Sequence, residues 1–167
     1  MTPPALHTLR LTLGPATPAH AKAFIAFCAT EDSRFIGGPA SRRDAWEGAA
    51  IGAGLWDVRG FGPFWVSLGD VPVGRVGVYY PVWRAEPELA WTIYPAFQGR
   101  GFSTEAALVA RDWAYGVLGL GPLCSLIDVE NAASVRVAEK LGAAIEALHN
   151  DDDGHRVMRW RHPGGLA

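Results

Sequence analysis

Cysteine is nearly missing from this chain, and its scarcity removes two classes of protein. Of 167 residues only Cys28 and Cys124 are cysteines. They lie far apart in no CxxC or Cys/His spacing, so neither a zinc site nor a disulfide framework is expected, and two buried free thiols remain as the reading. Long apolar runs are missing as well. None approaches the roughly 20 residues of a membrane helix, and the opening MTPPALHTLRLTLG has neither the charged segment nor the unbroken apolar core of a secretory signal. The expectation is a cytoplasmic protein without a membrane partner. Neither sign of charge is in excess, at a formal net −2, which gives no reason to expect nucleic acid through bulk electrostatics. Repeats, low-complexity tracts and linker-like shifts in composition are also missing, so residues 1–167 are expected to form a single domain. At that length roughly two-thirds of the unfolded surface can be buried without a staple.

What is present is a clear order of elements. Leu9, Leu11 and Leu13 alternate with Arg10 and Thr12 at the period of a half-buried strand, stopped by Gly14-Pro15. Thr17 and Pro18 then open a helix over 18–29. Ser41 followed by Asp44 resembles a capping box with a shortened acid, behind which Trp46, Ala49, Ala53 and Trp56 recur at helical spacing. Gly48, Gly52 and Gly54 weaken this second helix by up to about 1 kcal/mol each relative to Ala and predict that it is mobile or bent. Strands over 63–68, 71–80 and 88–94 follow as an antiparallel meander, then a helix over 103–118 with an apolar stripe of Ala106, Val109, Ala110, Trp113 and Val117. A strand over 123–129, a helix capped by Asn131 and closed by Gly142, and a strand pair around the acidic turn NDDDG complete the chain. The fold class is α+β with a mixed sheet.

Between the third meander strand and the next helix lies FQGRGFSTEA, residues 97–106, a run that suits a phosphate. A Walker A loop is excluded, because Gly101 is followed by Phe102 and no lysine is near. The dinucleotide fingerprint fits badly: Thr104 stands where its third glycine belongs, and the loop lies past mid-chain after antiparallel strands. What is left is a helix N-terminus whose free amides, beside the Ser103 and Thr104 hydroxyls, can hold a pyrophosphate without lysine. A tight strand-to-helix turn capped by Ser103 accounts for the glycines equally well.

The neighbouring residues separate these two. ELAWTIYPAFQGRGFSTEAALVARDWAY followed by SLIDVENAASVRVAEKLGA resembles the coenzyme A-binding half of the GNAT acetyltransferases, in their RimJ/RimL-type branch. Gln98, Gly101 and Ser103 occupy the family's Q/R-x-x-G-x-G/A motif, with Ser in place of its last small residue. Asn131, Ser134 and the Glu-Lys-Leu-Gly ending at Gly142 match the second family element in order and spacing, and RLTL, GPAS and GPFWV extend the likeness over nearly the whole chain. The resemblance implies the GNAT fold, a mixed, mostly antiparallel sheet splayed at its centre with helices on both faces. It implies acetyl-CoA as cosubstrate and no metal. The pyrophosphate would lie on the amides of Gly99, Arg100, Gly101, Phe102, Ser103 and Thr104, beside Gln98. A β-bulge near Ile93 and Tyr94 would open a slot for the pantetheine arm, Asn131 would contact that arm, and the amide of Ile93 or Tyr94 would hold the thioester oxygen. The implied acceptor is a primary amine, on a protein N-terminus or a small molecule, and the implied state a monomer or homodimer.

Attack on a thioester needs a neutral amine, and an α-amine of pKa ~7.7–8 is only roughly a tenth neutral at pH 7. Glu88 sits where many family members place the carboxylate that takes the proton. The alternatives are an exposed strand-end glutamate or one paired to Arg84, with Glu86 and then Asp128 as substitute bases. The family's usual tyrosine acid is missing, since aligning on Lys140-Leu141-Gly142 puts Ala138 there. Ser134, one turn earlier, is assigned a hydrogen bond to the thiolate, against the alternative of a serine completing the Asn131 cap. Trp83 and Tyr80 are expected at the acceptor pocket, while Trp46, Trp56 and Trp91 fall on apolar periods and read as core. The five histidines show no ligand spacing, and His149 and His155 flank the acidic turn and read as solvated. That acidic run reads as a soluble hairpin tip or as a weak attractor for a cationic acceptor. The expected activity is acetyl transfer to a primary amine by direct attack in a ternary complex. The other readings are a catalytically silent acyl-CoA-binding or regulatory module and a nucleotide-binding protein.

Overall fold

A computed structural model describes residues 2–150 and 154–164. The meander forms where alternation predicts it, as β3 (Pro63–Leu68), β4 (Val71–Tyr79) and β5 (Glu88–Ile93). Ahead of it the expected single strand through Leu9 is instead two short strands, β1 (Leu6–His7) and β2 (Thr12–Gly14). The Thr8 hydroxyl accepts from the N–H groups of Leu11 at 2.8 Å and Arg10 at 3.2 Å, which reverses the chain. Leu9 is thrown out, 95% exposed, while Leu11 and Leu13 are buried.

Each of the first two helices begins on the cap its sequence announces. Thr17 accepts from the His20 N–H at the head of α1 (Pro18–Cys28), and Ser41 from the Asp44 N–H at the head of α2 (Arg42–Arg59). The core face of α2 differs from the expected stripe. Ala45, Ala49, Gly52 and Trp56 are buried, and Trp46 is 58% exposed rather than core. Two adjacent stripes share Ala49 and Trp56, and the helix rolls so that its glycines meet the Arg75 guanidinium, which hydrogen-bonds Gly48 O at 3.1 Å. The helix runs uninterrupted through all three glycines.

The remaining elements are α3 (Phe102–Leu118), β6 (Cys124–Asp128), α4 (Ala132–Lys140), β7 (Ala144–Asn150) and β8 (Arg156–Arg161). Residues 151–153 of the acidic turn lie outside the described residues. The eight strands form one sheet in the order β1-β2-β3-β4-β5-β6-β8-β7, antiparallel everywhere except between β5 and β6. Alternation sorts the core onto two faces. Phe64, Val76 and Leu89 pack under the alanines 106, 107, 110 and 114 of α3, while Trp65 packs with Phe24, Phe27 and Ala49 of α1 and α2. Both cysteines are buried and free. Among the described residues no helix is long and apolar enough to cross a membrane.

No bulge is present where one was expected. The β4–β5 register runs unbroken from Tyr79↔Glu88 to Gly74↔Ile93, and the Tyr94 N–H still reaches Val73 O at 2.9 Å. The sheet nevertheless opens at its centre, by another device.

Candidate active site

β5 and β6 pair at one position only, Glu88↔Cys124. The next bond of a regular parallel ladder would join the Leu126 N–H to Leu89 O. Side chains take both groups instead: the Ser125 hydroxyl donates to Leu89 O at 2.5 Å, and Glu88 Oε1 accepts from the Leu126 N–H at 3.2 Å. Beyond this point the strands diverge. Because Tyr94 donates to Val73 across β4, antiparallel alternation turns the amides of Trp91 and Ile93 toward the opening. Of the two amides expected to meet the thioester, Tyr94 is therefore engaged in the sheet and Ile93 faces the gap. Ile93 O accepts from the Gln98 side-chain amide at 2.8 Å, so Gln98 turns back on its own strand.

Glu88 stands at the apex of this opening and is 7% exposed, not a solvated strand end. Its second oxygen lies 3.3 Å from Arg84 Nε, a charge contact without directed hydrogen-bond geometry. Burial raises its carboxyl above the usual range, and Arg84 and the Leu126 amide pull it part of the way back. Glu86 is tied to Arg161 at 2.7 Å, which holds its carboxyl below the ordinary value. Asp128 accepts from the Glu130 N–H at 2.8 Å and faces the same cleft as Glu88.

The loop after β5 delivers the chain into α3 through two glycines in the left-handed region, Gly99 at φ 74° and Gly101 at φ 80°. Gly101 is the N-cap, and among the described residues no side chain caps α3, whereas Thr17, Ser41 and Asn131 cap the other α-helices. Ser103 lies inside the first turn, which removes its expected alternative role as cap. Arg10 and Arg100 both stack on the Phe102 ring, at 4.5 and 4.7 Å, and Arg10 also pairs with Glu105 in that turn. A free helix N-terminus with backbone amides turned outward is a physical fit for a pyrophosphate.

Across the opening, Asn131 caps α4 with Oδ1 on the Ser134 N–H at 3.1 Å. The Ser134 hydroxyl takes no part in that cap; it accepts from Trp91 Nε1 at 3.2 Å and keeps its own hydrogen. Trp91 is thus half-buried, packed against the core as expected and also lining the cleft. Ala138 is fully buried. The cleft holds about 330 Å³ and is lined by Trp83, Arg34, Arg75, Trp91, Asn131 and Ser134 around Glu88, with exposed His155 at its edge. Tyr80 faces elsewhere, its ring under Arg59 at 4.5 Å.

The family profile for the acetyltransferase (GNAT) domain matches residues 10–144. The chain belongs to the GNAT acetyltransferase family. An acetyltransferase from Agrobacterium tumefaciens strain C58 is 32% identical, with 98% of this chain and 96% of that chain superposed at a TM-score of 0.89. Spermidine N(1)-acetyltransferase of Escherichia coli strain K12 is 39% identical over 63 residues, which is 38% of this chain and 33% of that protein. The matched stretch therefore spans a third of that curated relative's length. RimL, a ribosomal L7/L12 alpha-N-protein acetyltransferase solved with coenzyme A, shares the fold at 16% identity and a TM-score of 0.75, covering 96% of this chain and 98% of RimL.

Sequence reasoning missed two groups that shape this GNAT domain's cleft. Ser125 donates to Leu89 O and so must accept from His162 Nε2–H at 2.8 Å. Burial first, then the charges of Arg111 and Arg161, push the imidazole down to about 4, so it is neutral near pH 7. Its Nδ1 has no partner among the described residues. The second group is Arg75, the one charge in VPVGRVGVY. An arginine between glycines in an otherwise apolar central strand was a signal that could have been read.

Proposed function

We propose that this chain is an acetyl-CoA-dependent N-acetyltransferase acting on a primary amine by direct attack in a ternary complex. One observation carries the reading: the centre of the sheet is held open by Glu88 and Ser125, and the opening runs toward the uncapped N-terminus of α3. A ligand that is itself an amide chain ending in a pyrophosphate suits both features. RimL, of the same fold, is seen with coenzyme A, which supports this choice of donor. The pyrophosphate rests on the amides of Gly99, Arg100, Gly101, Phe102, Ser103 and Thr104. The pantetheine arm pairs with the Trp91 N–H and the Leu126 carbonyl, and Asn131 reaches it with its remaining amide hydrogens.

In the reaction the amine nitrogen attacks the thioester carbon, the Ile93 N–H stabilises the charge developing on oxygen, and the C–S bond breaks. Glu88 takes the amine proton, its basicity increased by burial. The Ser134 hydroxyl donates a hydrogen bond to the departing sulfur, oriented by the Trp91 indole. The test is coenzyme A binding by calorimetry together with thiol release from acetyl-CoA across amine and peptide panels. Amine-dependent release supports the reading. Tight coenzyme A binding with no release above hydrolysis would make the chain an acyl-CoA-binding module, and ATP binding without coenzyme A binding would point to a nucleotide protein.

A further inference from the structure

Three cross-strand pairs on the α1/α2 face of the sheet form the floor of the cleft: Arg75↔Thr92, Gly77↔Ala90 and Tyr79↔Glu88. The middle pair is the smallest, so the floor is a trough. A guanidinium stands at one end and the Glu88 carboxylate at the other, with four residue steps of β4 separating their cross-strand positions, roughly 13 Å at ~3.3 Å per residue.

The Arg75 end is built to hold a planar cation. Its guanidinium lies 4.4 Å from the centre of the Phe24 ring and 5.6 Å from that of Trp65, and Nη1 donates to Gly48 O at 3.1 Å. A Cβ at Gly52 would come within 2.7 Å of Nη1, so α2 carries a glycine where the guanidinium passes. Desolvating a guanidinium is costly unless the charge is answered. Among the described residues, however, no carboxylate pairs with Arg75, and Gly48 O is its one hydrogen-bond acceptor. Glu88 lies against Arg84, at the far end of the trough from Arg75, and Arg34 adds a further positive charge at the mouth. A polyamine would bring cations against three arginines.

We infer that Arg75 receives the carboxylate of the acceptor, so that the substrate is a free amino acid whose carboxylate sits on the Arg75 fork and whose amine is directed toward Glu88. A carboxylate supplies the planar, paired acceptors that a guanidinium fork matches. The modest cleft, which also has to hold the thioester end of the donor, favours a small acceptor over a peptide. This inference rests on the acetyl-transfer reading above, and its test separates the two.

Thiol release from acetyl-CoA is measured for amino acids from glycine through β-alanine to longer ω-amino acids, each against its own carboxamide. Neutralising the carboxylate lowers the amine's pKa and by itself favours the carboxamide, so a preference for the acid cannot come from amine basicity. The expected result is at least one acid preferred over its carboxamide by roughly 10- to 100-fold in kcat/KM, carried mainly by KM, because a half-buried guanidinium without a carboxylate partner penalises the neutral analogue. Arg75→Gln brings that ratio close to one, and Arg75→Lys, which keeps the charge and loses the stacked fork, falls between. Carboxamides or polyamines used as well as the acids, a ratio unmoved in Arg75→Gln, or an acidic peptide preferred to every free amino acid would each overturn the inference. If no amine releases thiol, the acetyl-transfer reading is what has failed. Calorimetry of acid against carboxamide on the wild-type protein with coenzyme A present needs no variant to fold, and equal affinity for the two would overturn the inference.

Discussion

The two neighbours of β5 treat it in opposite ways. Toward β4 it makes six consecutive residue pairs with no shift of register; toward β6 it makes one. The strand has the same backbone on both sides, so the asymmetry comes from side chains. On the β4 side the facing residues run from Gly74 through Arg75, Val76, Gly77 and Val78 to Tyr79, and the ladder passes through all of them. On the β6 side a serine and a glutamate reach the main-chain groups first, and Gln98 covers a third. A sheet can thus be opened without a bulge if polar side chains satisfy the edges that pairing would have used, which keeps buried backbone groups from being stranded. The cleft exists because this one ladder was stopped after a single pair.

Glu88→Gln breaks the open side where it meets the chemistry, and the largest effect is expected there. The variant keeps an oxygen for the Leu126 N–H and loses the proposed base, so kcat is expected to fall by roughly 10²–10³-fold with little change in coenzyme A affinity. In the proposed mechanism the wild-type enzyme works with Glu88 deprotonated, and burial raises that carboxyl. Its kcat therefore declines on the acid side at a pH above the ordinary carboxyl value of ~4.3, and that limb disappears in the variant. A kcat–pH profile with the same limb in both proteins would take Glu88 out of the mechanism. Stability should move the other way. A carboxyl that binds its proton more tightly when folded favours the fold below its unfolded pKa, and that benefit is lost as pH rises through the folded value. At pH 7 the buried charge costs stability, and Glu88→Gln is expected to melt roughly 2–4 °C higher per kcal/mol recovered, with the gap shrinking toward pH 4.

Ser125→Ala tests whether the opening is held by its side chains. It strands Leu89 O and the His162 Nε2–H together, for a loss of about 1–3 kcal/mol read from the melting curve. With its hydroxyl gone, Leu89 O can compete with Glu88 Oε1 for the Leu126 N–H and resume the ladder, so coenzyme A affinity is expected to fall up to tenfold by calorimetry. Ser125→Thr, which keeps the hydroxyl, should recover most of both. A variant as stable as wild type with unchanged affinity would mean that the strands diverge for some other reason.

The closed side of β5 was legible in the sequence and the open side was not. Period-2 patterning places 63–68, 71–80 and 88–94 within a residue of β3, β4 and β5, and the caps Thr17, Ser41 and Asn131 follow from local hydrogen bonding within four residues. Ser125 and Leu89 are 36 residues apart, and Glu88 and Leu126 are 38. Periodicity reports which face a residue takes and cannot report which distant amide it meets. Family likeness brought Glu88, Asn131 and Ser134 to one cleft but attributed the opening to a bulge that the unbroken β4–β5 register rules out. Trp46 was misplaced because two stripes on α2 share Ala49 and Trp56, and the one that is buried carries Gly52, where a Cβ would meet Arg75. Leu9 was misplaced because a single threonine hydroxyl outweighed an alternating pattern.

The smallest effect is expected across the opening, at the contact joining β5 to α4. Trp91 donates to Ser134 Oγ, so Ser134 can aim its hydrogen at the sulfur while remaining anchored. A thiol of pKa ~8.5 leaves as the thiolate with little assistance near neutrality, and Ser134→Ala is expected to lower kcat only about two- to fivefold. The deficit should shrink as pH rises past that pKa, where the free thiolate needs no proton. Trp91→Phe removes the anchor and keeps the hydroxyl; if orientation is what the indole supplies, it should reproduce part of the Ser134→Ala loss, and the double variant should be no slower than Ser134→Ala alone. Fully additive losses would instead place Trp91 and Ser134 in separate roles, with the indole serving as a wall of the cleft.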